Sequence, residues 1–308
     1  MQTRTVSATS ILKLLPAVQT LCLEVTSKHT KRSYTTGSLL FLKWLRFEQL
    51  ELDQLDYVTI VRYHAYLVEN YSKKTAALRF LTCRRLLDVA RKMHIIRENP
   101  ASEVKRKISF DDSGTHTALS KREARKLLSA VDRATPIGKR DYAVLLVLIF
   151  CGVRRSECAA IKLGDIREHD EHKVLTILHG KGDKRREIPL PPPVFRAIKD
   201  YLEAVNRLND SPDSSLFTGF YRGNKSYGRG VTDRAIENIV KHYSQKSGIH
   251  CTPHDLRATS ITLLVDTGAP LIQVQRLVGH KDPKTTERYY SRKQDLDSSP
   301  IYKISLND

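Results

Sequence analysis

The chain has 308 residues, 40% of them hydrophobic, and 52 Lys and Arg stand against 34 Asp and Glu for a formal net charge of +18. That length and apolar content exclude global disorder and leave room for about two domains. The cationic excess points to a polyanionic partner, most simply nucleic acid, over the alternative of a basic surface that only aids solubility.

In chain order, the first residues are not expected to form a signal peptide, because Lys13, Pro16 and Gln19 interrupt their apolar side chains. Residues 1–105 read as short helices. One, capped by Thr30 or Ser33, carries Tyr34, Leu39, Leu40, Phe41, Leu42 and Trp44. A second follows Leu55 through Ile60, Val61 and Tyr66. A third carries Leu78, Leu81, Leu86, Val89 and Met93 at helical spacing. Lys73, Lys74, Arg79, Arg84, Arg85, Arg91 and Lys92 are placed on its other face. Such a run is either a solvated surface or a row of contacts to DNA phosphates; Asp88 is the only acid among them, which favours DNA binding. Asn99-Pro100 stops the helical pattern, and the polar stretch over 106–118 is expected to link two domains.

The second part, 119–308, opens on a helix with Ser120 as N-cap and Glu123 completing a capping box. The apolar run Ala143–Cys151 is too short to span a bilayer and reads as a central buried helix ending near Gly152. Another helix starts near Ser156 and Glu157. Residues 173–178 and 185–190 are β-like, with Gly180-Lys181-Gly182-Asp183 as the hairpin turn between them. The prolines at 191–193 lead into a helix through Tyr201. Thr252, Pro253 and Asp255 start a further helix by cap, first-turn proline and capping box. Gly268 and Gly279 end successive helices, and Asp282-Pro283 opens the one that bears Tyr289. The fold class is therefore mainly α with a small β-sheet.

Five cysteines, Cys22, Cys83, Cys151, Cys158 and Cys251, form no CxxC pair; they fit a reducing cytoplasm and argue against a disulfide framework or a zinc site. The polar residues that carry chemistry lie elsewhere. His254 and Arg257 are one turn apart at a helix N-terminus, where the dipole favours an anion. Taken alone, this two-residue pattern reads more readily as a stray surface His and Arg. His280 follows a glycine cap, on a turn that can aim a side chain outward, and by itself reads as a turn histidine. Arg154 emerges from the buried segment; it suits a catalytic guanidinium, or it simply pairs with Glu157. Lys181 between glycines reads as well as a solvated turn lysine, and Tyr289 as a core residue with its hydroxyl at the surface.

Taken together these residues change the reading. Cys151-Gly152-Val153-Arg154-Arg155-Ser156-Glu157, His179-Gly180-Lys181-Gly182-Asp183-Lys184 with Ile188-Pro189-Leu190, His254-Asp255-Leu256-Arg257, and Leu277-Val278-Gly279-His280 through Thr285-Thr286-Glu287-Arg288-Tyr289 resemble, in order and spacing, the tyrosine recombinases or phage integrases. The resemblance covers about residues 115–295; Thr30-Lys31-Arg32-Ser33-Tyr34 is similar, less specifically, to the family's helical core-binding (SAM-like) domain. It implies a helical core-binding domain over 1–105 and a mixed α/β catalytic domain over 119–308. It also implies a site-specific recombinase whose catalytic residues are Arg154, Lys181, His254, Arg257, His280 and Tyr289. By that resemblance, Tyr289 would attack a DNA phosphorus to give a 3′-phosphotyrosyl link, in integration, excision or resolution of DNA elements. Double-stranded DNA and a self-associated tetramer on that DNA are the implied partners, and the setting is cytoplasmic, at the nucleoid. No metal, cofactor or membrane is implied. Cys151, Arg155 and Ala258 depart from the family's usual residues without touching a catalytic position. A type IB topoisomerase shares the tyrosine chemistry, and a DNA-binding regulator without catalysis would share the fold; the intact set of six favours the recombinase.

Overall fold

The computed structural model describes residues 9–104, 117–178, 185–221, 226–280 and 282–290. The chain divides into two compact units, Met1–Gly114 and Thr115–Asp308, each with its own hydrophobic core. Most of the stretch expected as a linker lies outside the described residues.

The first unit is helical: α1 (Thr9–Leu12), α2 (Leu15–Leu23), α3 (Lys28–Phe47), α4 (Tyr57–Asn70) and α5 (Lys73–Lys92). Ser27, not Thr30 or Ser33, caps α3: its hydroxyl accepts from the Thr30 N–H, so Thr30 is already inside the first turn. Asp56 caps α4 and Ser72 caps α5 in the same way. The core gathers Phe41, Trp44, Tyr63, Phe80 and Leu86, with Phe41, Trp44 and Tyr63 packed ring against ring.

On α5 the buried face is rotated from the sequence reading. Ala76, Ala77, Phe80, Cys83, Leu87 and Ala90 are buried along with Leu86 and Val89, whereas Leu78 and Met93 are exposed. Small alanines let the helix approach its neighbours, so the large apolar residues are a poor guide to which side is inside.

The second unit holds α6 (Lys121–Ser129), α7 (Pro136–Cys151), α8 (Arg155–Ala160), β1 (Ile166–His169), β2 (His172–Ile177), β3 (Arg186–Pro189), α9 (Pro192–Ala204), β4 (Thr218–Phe220), β5 (Ser226–Gly230), α10 (Asp233–Ser247), α11 (Pro253–Asp266), α12 (Leu271–Val278) and α13 (Pro283–Tyr290). Ser120 and Glu123 form the expected capping box on α6. Helix α7 is buried without a break from Ala143 to Ile149 and packs on α9 and α11. Over those seven residues it is apolar on all sides because it is covered on all sides, whereas Phe150 beyond them is exposed.

Two antiparallel sheets are present where one was expected. β1, β2 and β3 form the first, with Ile177 opposite Arg186; the hairpin turn expected at Gly180-Lys181-Gly182-Asp183 lies outside the described residues. β4 and β5 pair as a separate hairpin. Its base is tied to the core by Thr218, whose carbonyl accepts from Arg140 and whose hydroxyl meets Tyr201 and Ser226.

Candidate active site

Helix α11 begins as its sequence dictates. Thr252 accepts from the Asp255 N–H, Asp255 returns a carboxylate to the Thr252 N–H at 2.8 Å, and Pro253 occupies the first turn. His254 is exposed on that turn. Arg257, one turn on, is only 1% exposed. Its Nη1 donates to the Gly152 carbonyl at 2.5 Å and its Nη2 to the Val278 carbonyl at 2.7 Å. One guanidinium therefore ties the end of α7 to the end of α12.

Both helix ends are made available by glycine. Gly152 ends α7 in the left-handed region at φ 57°, and a Cβ there would stand 2.8 Å from Ser260 Oγ. Gly279 ends α12 at φ 69°, and its carbonyl accepts from Arg154 Nη2 at 3.1 Å. Arg154, Arg257 and His280 are thus drawn together by the carbonyls of Gly152, Val278 and Gly279.

Arg154 does pair with Glu157, as the plainer reading of the sequence had it. Its backbone N–H donates to Glu157 Oε2 at 2.8 Å and its Nη1 to Oε1 at 2.7 Å. Yet its side chain stays 30% exposed while that of Glu157 is 3% exposed. The partner that sequence reasoning missed is Arg186 on β3. It donates to Glu157 through Nη1 at 3.2 Å and Nη2 at 2.6 Å, and to the Leu277 carbonyl through Nε at 3.0 Å. Burial raises the Glu157 carboxyl, but the bonds from Arg186 and Arg154 more than reverse that and hold it at about 2.

His280 meets Thr286 Oγ1 through Nδ1 at 2.9 Å, which joins the turn after α12 to α13. Burial, then the electrostatic influence of Arg257, Arg154, His254 and Arg186, pushes the imidazole down to about 3. It is therefore neutral at neutral pH. Helix α13 packs on α11 and α12 and places Tyr289 one turn beyond Thr286; the Tyr289 side chain and the whole of Lys181 lie outside the described residues.

The proposed DNA-contacting cations on α5 do not share one face. At about 100° per residue, Lys73, Lys74, Arg84, Arg85, Arg91 and Lys92 fall within a sector of about 120°, whereas Arg79 points elsewhere. Arg79 is half-buried and donates to the Ser33 carbonyl on α3 at 3.4 Å. Arg84 is also partly engaged, donating to the Ser102 carbonyl at 3.1 Å, and Arg85 lies 3.7 Å from Glu24. Lys73, Lys74, Arg91 and Lys92 are exposed. The extra cation Arg155 is drawn away from the site to Asp233 and Glu237. Among the described residues no group of His, Cys, Asp and Glu is arranged to hold a metal ion, and no helix is long and apolar enough to cross a membrane.

Two guanidiniums held by backbone carbonyls and an imidazole held by the Thr286 hydroxyl thus lie together on the turns at 152–154 and 278–280. Residues 117–295 match the phage integrase family and residues 13–108 match the phage integrase SAM-like domain. Tyrosine recombinase XerD of Ralstonia nicotianae is 28% identical over 267 residues, covering 85% of this chain and 83% of that protein. Tyrosine recombinase XerD of Listeria monocytogenes is 35% identical over 182 residues, covering 57% of this chain and 58% of that protein. The fold is similar, at a TM-score of 0.78 and 16% identity over 96% of both chains, to that of XerH site-specific recombinase bound to a palindromic difH substrate in a post-cleavage complex. The chain belongs to the phage integrase family, the tyrosine recombinases. Its enzymatic class is that of a site-specific DNA strand transferase.

Proposed function

We propose that Tyr289 is the nucleophile of this recombinase and that Arg154, Arg257 and His280 hold the phosphate it attacks. The observation that carries the proposal is the convergence of those three side chains on the turns at 152–154 and 278–280. The Tyr289 oxygen bonds to phosphorus as the bond to the 5′-oxygen breaks, giving a 3′-phosphotyrosyl link and a free 5′-hydroxyl. The tyrosine's proton passes to His254, and Lys181 gives one to the leaving 5′-oxygen. Charge on the non-bridging oxygens is met by the forked donors of Arg154 and Arg257, a geometry that Lys does not offer. A neutral His280 adds a donor if Thr286 holds its Nδ1 as acceptor and the ring proton sits on Nε2. The loss of one such donor costs about 3–4 kcal/mol of transition-state stabilisation. Attack by a partner strand's 5′-hydroxyl reverses the chemistry and completes the exchange.

The substrate is a double-stranded recombination site, in the nucleoid of the cytoplasm, and four protomers assemble on a pair of such sites. Lys73, Lys74, Arg91 and Lys92, with Arg84 and Arg85, follow the phosphates of the bound duplex, a reading supported by the exposure of the four. The test is a suicide substrate nicked beside the cleavage position. Wild-type protein should accumulate a covalent adduct that peptide mapping locates at Tyr289, and Tyr289→Phe should bind the site but form none. An adduct in Tyr289→Phe would refute the assignment, and no adduct in the wild type would leave a DNA-binding regulator as the correct reading.

A further inference from the structure

The carboxylate of Glu157 is shared. Oε1 accepts from Arg154 Nη1 and from Arg186 Nη1; Oε2 accepts from the Arg154 N–H and from Arg186 Nη2. Arg154 and Glu157 alone would be a neutral pair, and a neutral pair is a weak clamp for a phosphate. With Arg186 the cluster carries one net positive charge. The exposures show where that charge faces: the side chains of Arg186 and Glu157 are 9% and 3% exposed, and that of Arg154 is 30%. Burial falls on the Arg186–Glu157 pair, and Arg154 is the member turned outward.

Arg186 also shapes the turn before His280. Its Nε donates to the Leu277 carbonyl at 3.0 Å, and a Cβ added to Gly279 would come within 3.1 Å of its Nη1. The guanidinium fills the space above that turn, which Gly279 leaves open. Three segments distant in sequence, those of Glu157, Arg186 and Leu277–Gly279, are joined by one side chain.

We propose that Arg186 is a positioning residue for DNA cleavage, which takes up half of the Glu157 carboxylate so that Arg154 keeps its positive charge for the scissile phosphate. The proposal rests on the reading above that Arg154 holds that phosphate. It makes Arg186 act through Arg154 and not by contact with DNA.

The test uses the full chain, saturating site DNA and single-turnover cleavage of the suicide substrate. Arg186→Gln should slow adduct formation by about 30-fold or more while binding to site DNA changes by less than about threefold, the pattern of an interaction realised only in the transition state. Added to Arg154→Ala, Arg186→Gln should cost less than about threefold more, since residues that act as a unit are not additive. A scissile methylphosphonate, which removes one non-bridging negative charge, should restore cleavage by both single variants, because less charge then needs to be met. Multiplicative effects in the double variant, or rescue of Arg154→Ala without rescue of Arg186→Gln, would overturn the inference about Arg186. Failure to rescue Arg154→Ala itself would instead remove the phosphate-clamp role of Arg154, and the Arg186 role with it. If Arg186→Gln does not fold by circular dichroism, Arg186→Lys decides. It keeps the charge without the fork: near-wild-type or slower, non-multiplicative cleavage supports the proposal, and multiplicativity with Arg154→Ala overturns it.

Discussion

Replacing Glu157 with Gln keeps the shape of the side chain and removes the charge that two arginines share. The amide also presents N–H donors where an acceptor oxygen faced a guanidinium. Four hydrogen bonds converge on this carboxylate, at 2.6 to 3.2 Å. Its pKa of about 2 stands against an ordinary 4.5. At about 1.4 kcal/mol per pH unit that displacement corresponds to about 3 kcal/mol of folding stability. Breaking a buried ion pair by removing one partner costs about 3–5 kcal/mol, so the two routes agree. Because the folded carboxyl titrates below the unfolded one, this stability is fully present above about pH 5 and is lost as pH falls through about 2. Glu157→Gln should therefore be about 3 kcal/mol less stable at pH 7, and the gap should narrow by about 2 kcal/mol on going to pH 3. Urea unfolding followed by far-UV circular dichroism at a series of pH values measures both. The single tryptophan, Trp44, lies in the other unit, and its fluorescence serves as the control. A deficit below about 1 kcal/mol at pH 7, or one that does not shrink in acid, would refute the shared-carboxylate argument.

Gly279→Ala and Gly268→Ala form a matched pair. Both glycines have left-handed backbone, at φ 69° and 81°, which costs an alanine about 1–2 kcal/mol. Only at Gly279 does the new Cβ meet Arg186; nothing lies within 4 Å at Gly268. Thermal midpoints should fall in both variants, but single-turnover cleavage should slow only in Gly279→Ala. For DNA binding, each of Lys73→Ala, Lys74→Ala, Arg91→Ala and Lys92→Ala that removes a phosphate contact should lower the slope of log K against log salt by about 0.9. Arg79→Ala should leave that slope unchanged and lower stability, as measured by anisotropy titrations and thermal melts.

What could be read from the sequence follows from how local each signal is. Capping boxes at Ser120–Glu123 and Thr252–Asp255 and the glycine ends at 152 and 279 are decided within a few residues, and the structure has them where expected. The cap of α3 was misplaced because Ser27, Thr30 and Ser33 all offer a hydroxyl, and only the backbone conformation chooses among them. The hairpin of β4 and β5 was missed because Ser226-Tyr227-Gly228-Arg229-Gly230 has the composition of a loop. Arg186 gave no signal at all. On a short charged strand it looks solvated, and its burial arises only when Glu157 and the turn at Leu277 arrive from elsewhere in the chain.

The lodging of Arg257 bears on how such an enzyme could decay. A guanidinium that pins the ends of two helices cannot be lost without loosening the body that carries it. A descendant that abandoned catalysis but kept its grip on DNA would still need this arginine for its fold, so an intact Arg257 in a relative is a sign of a sound body and not, by itself, of a working enzyme.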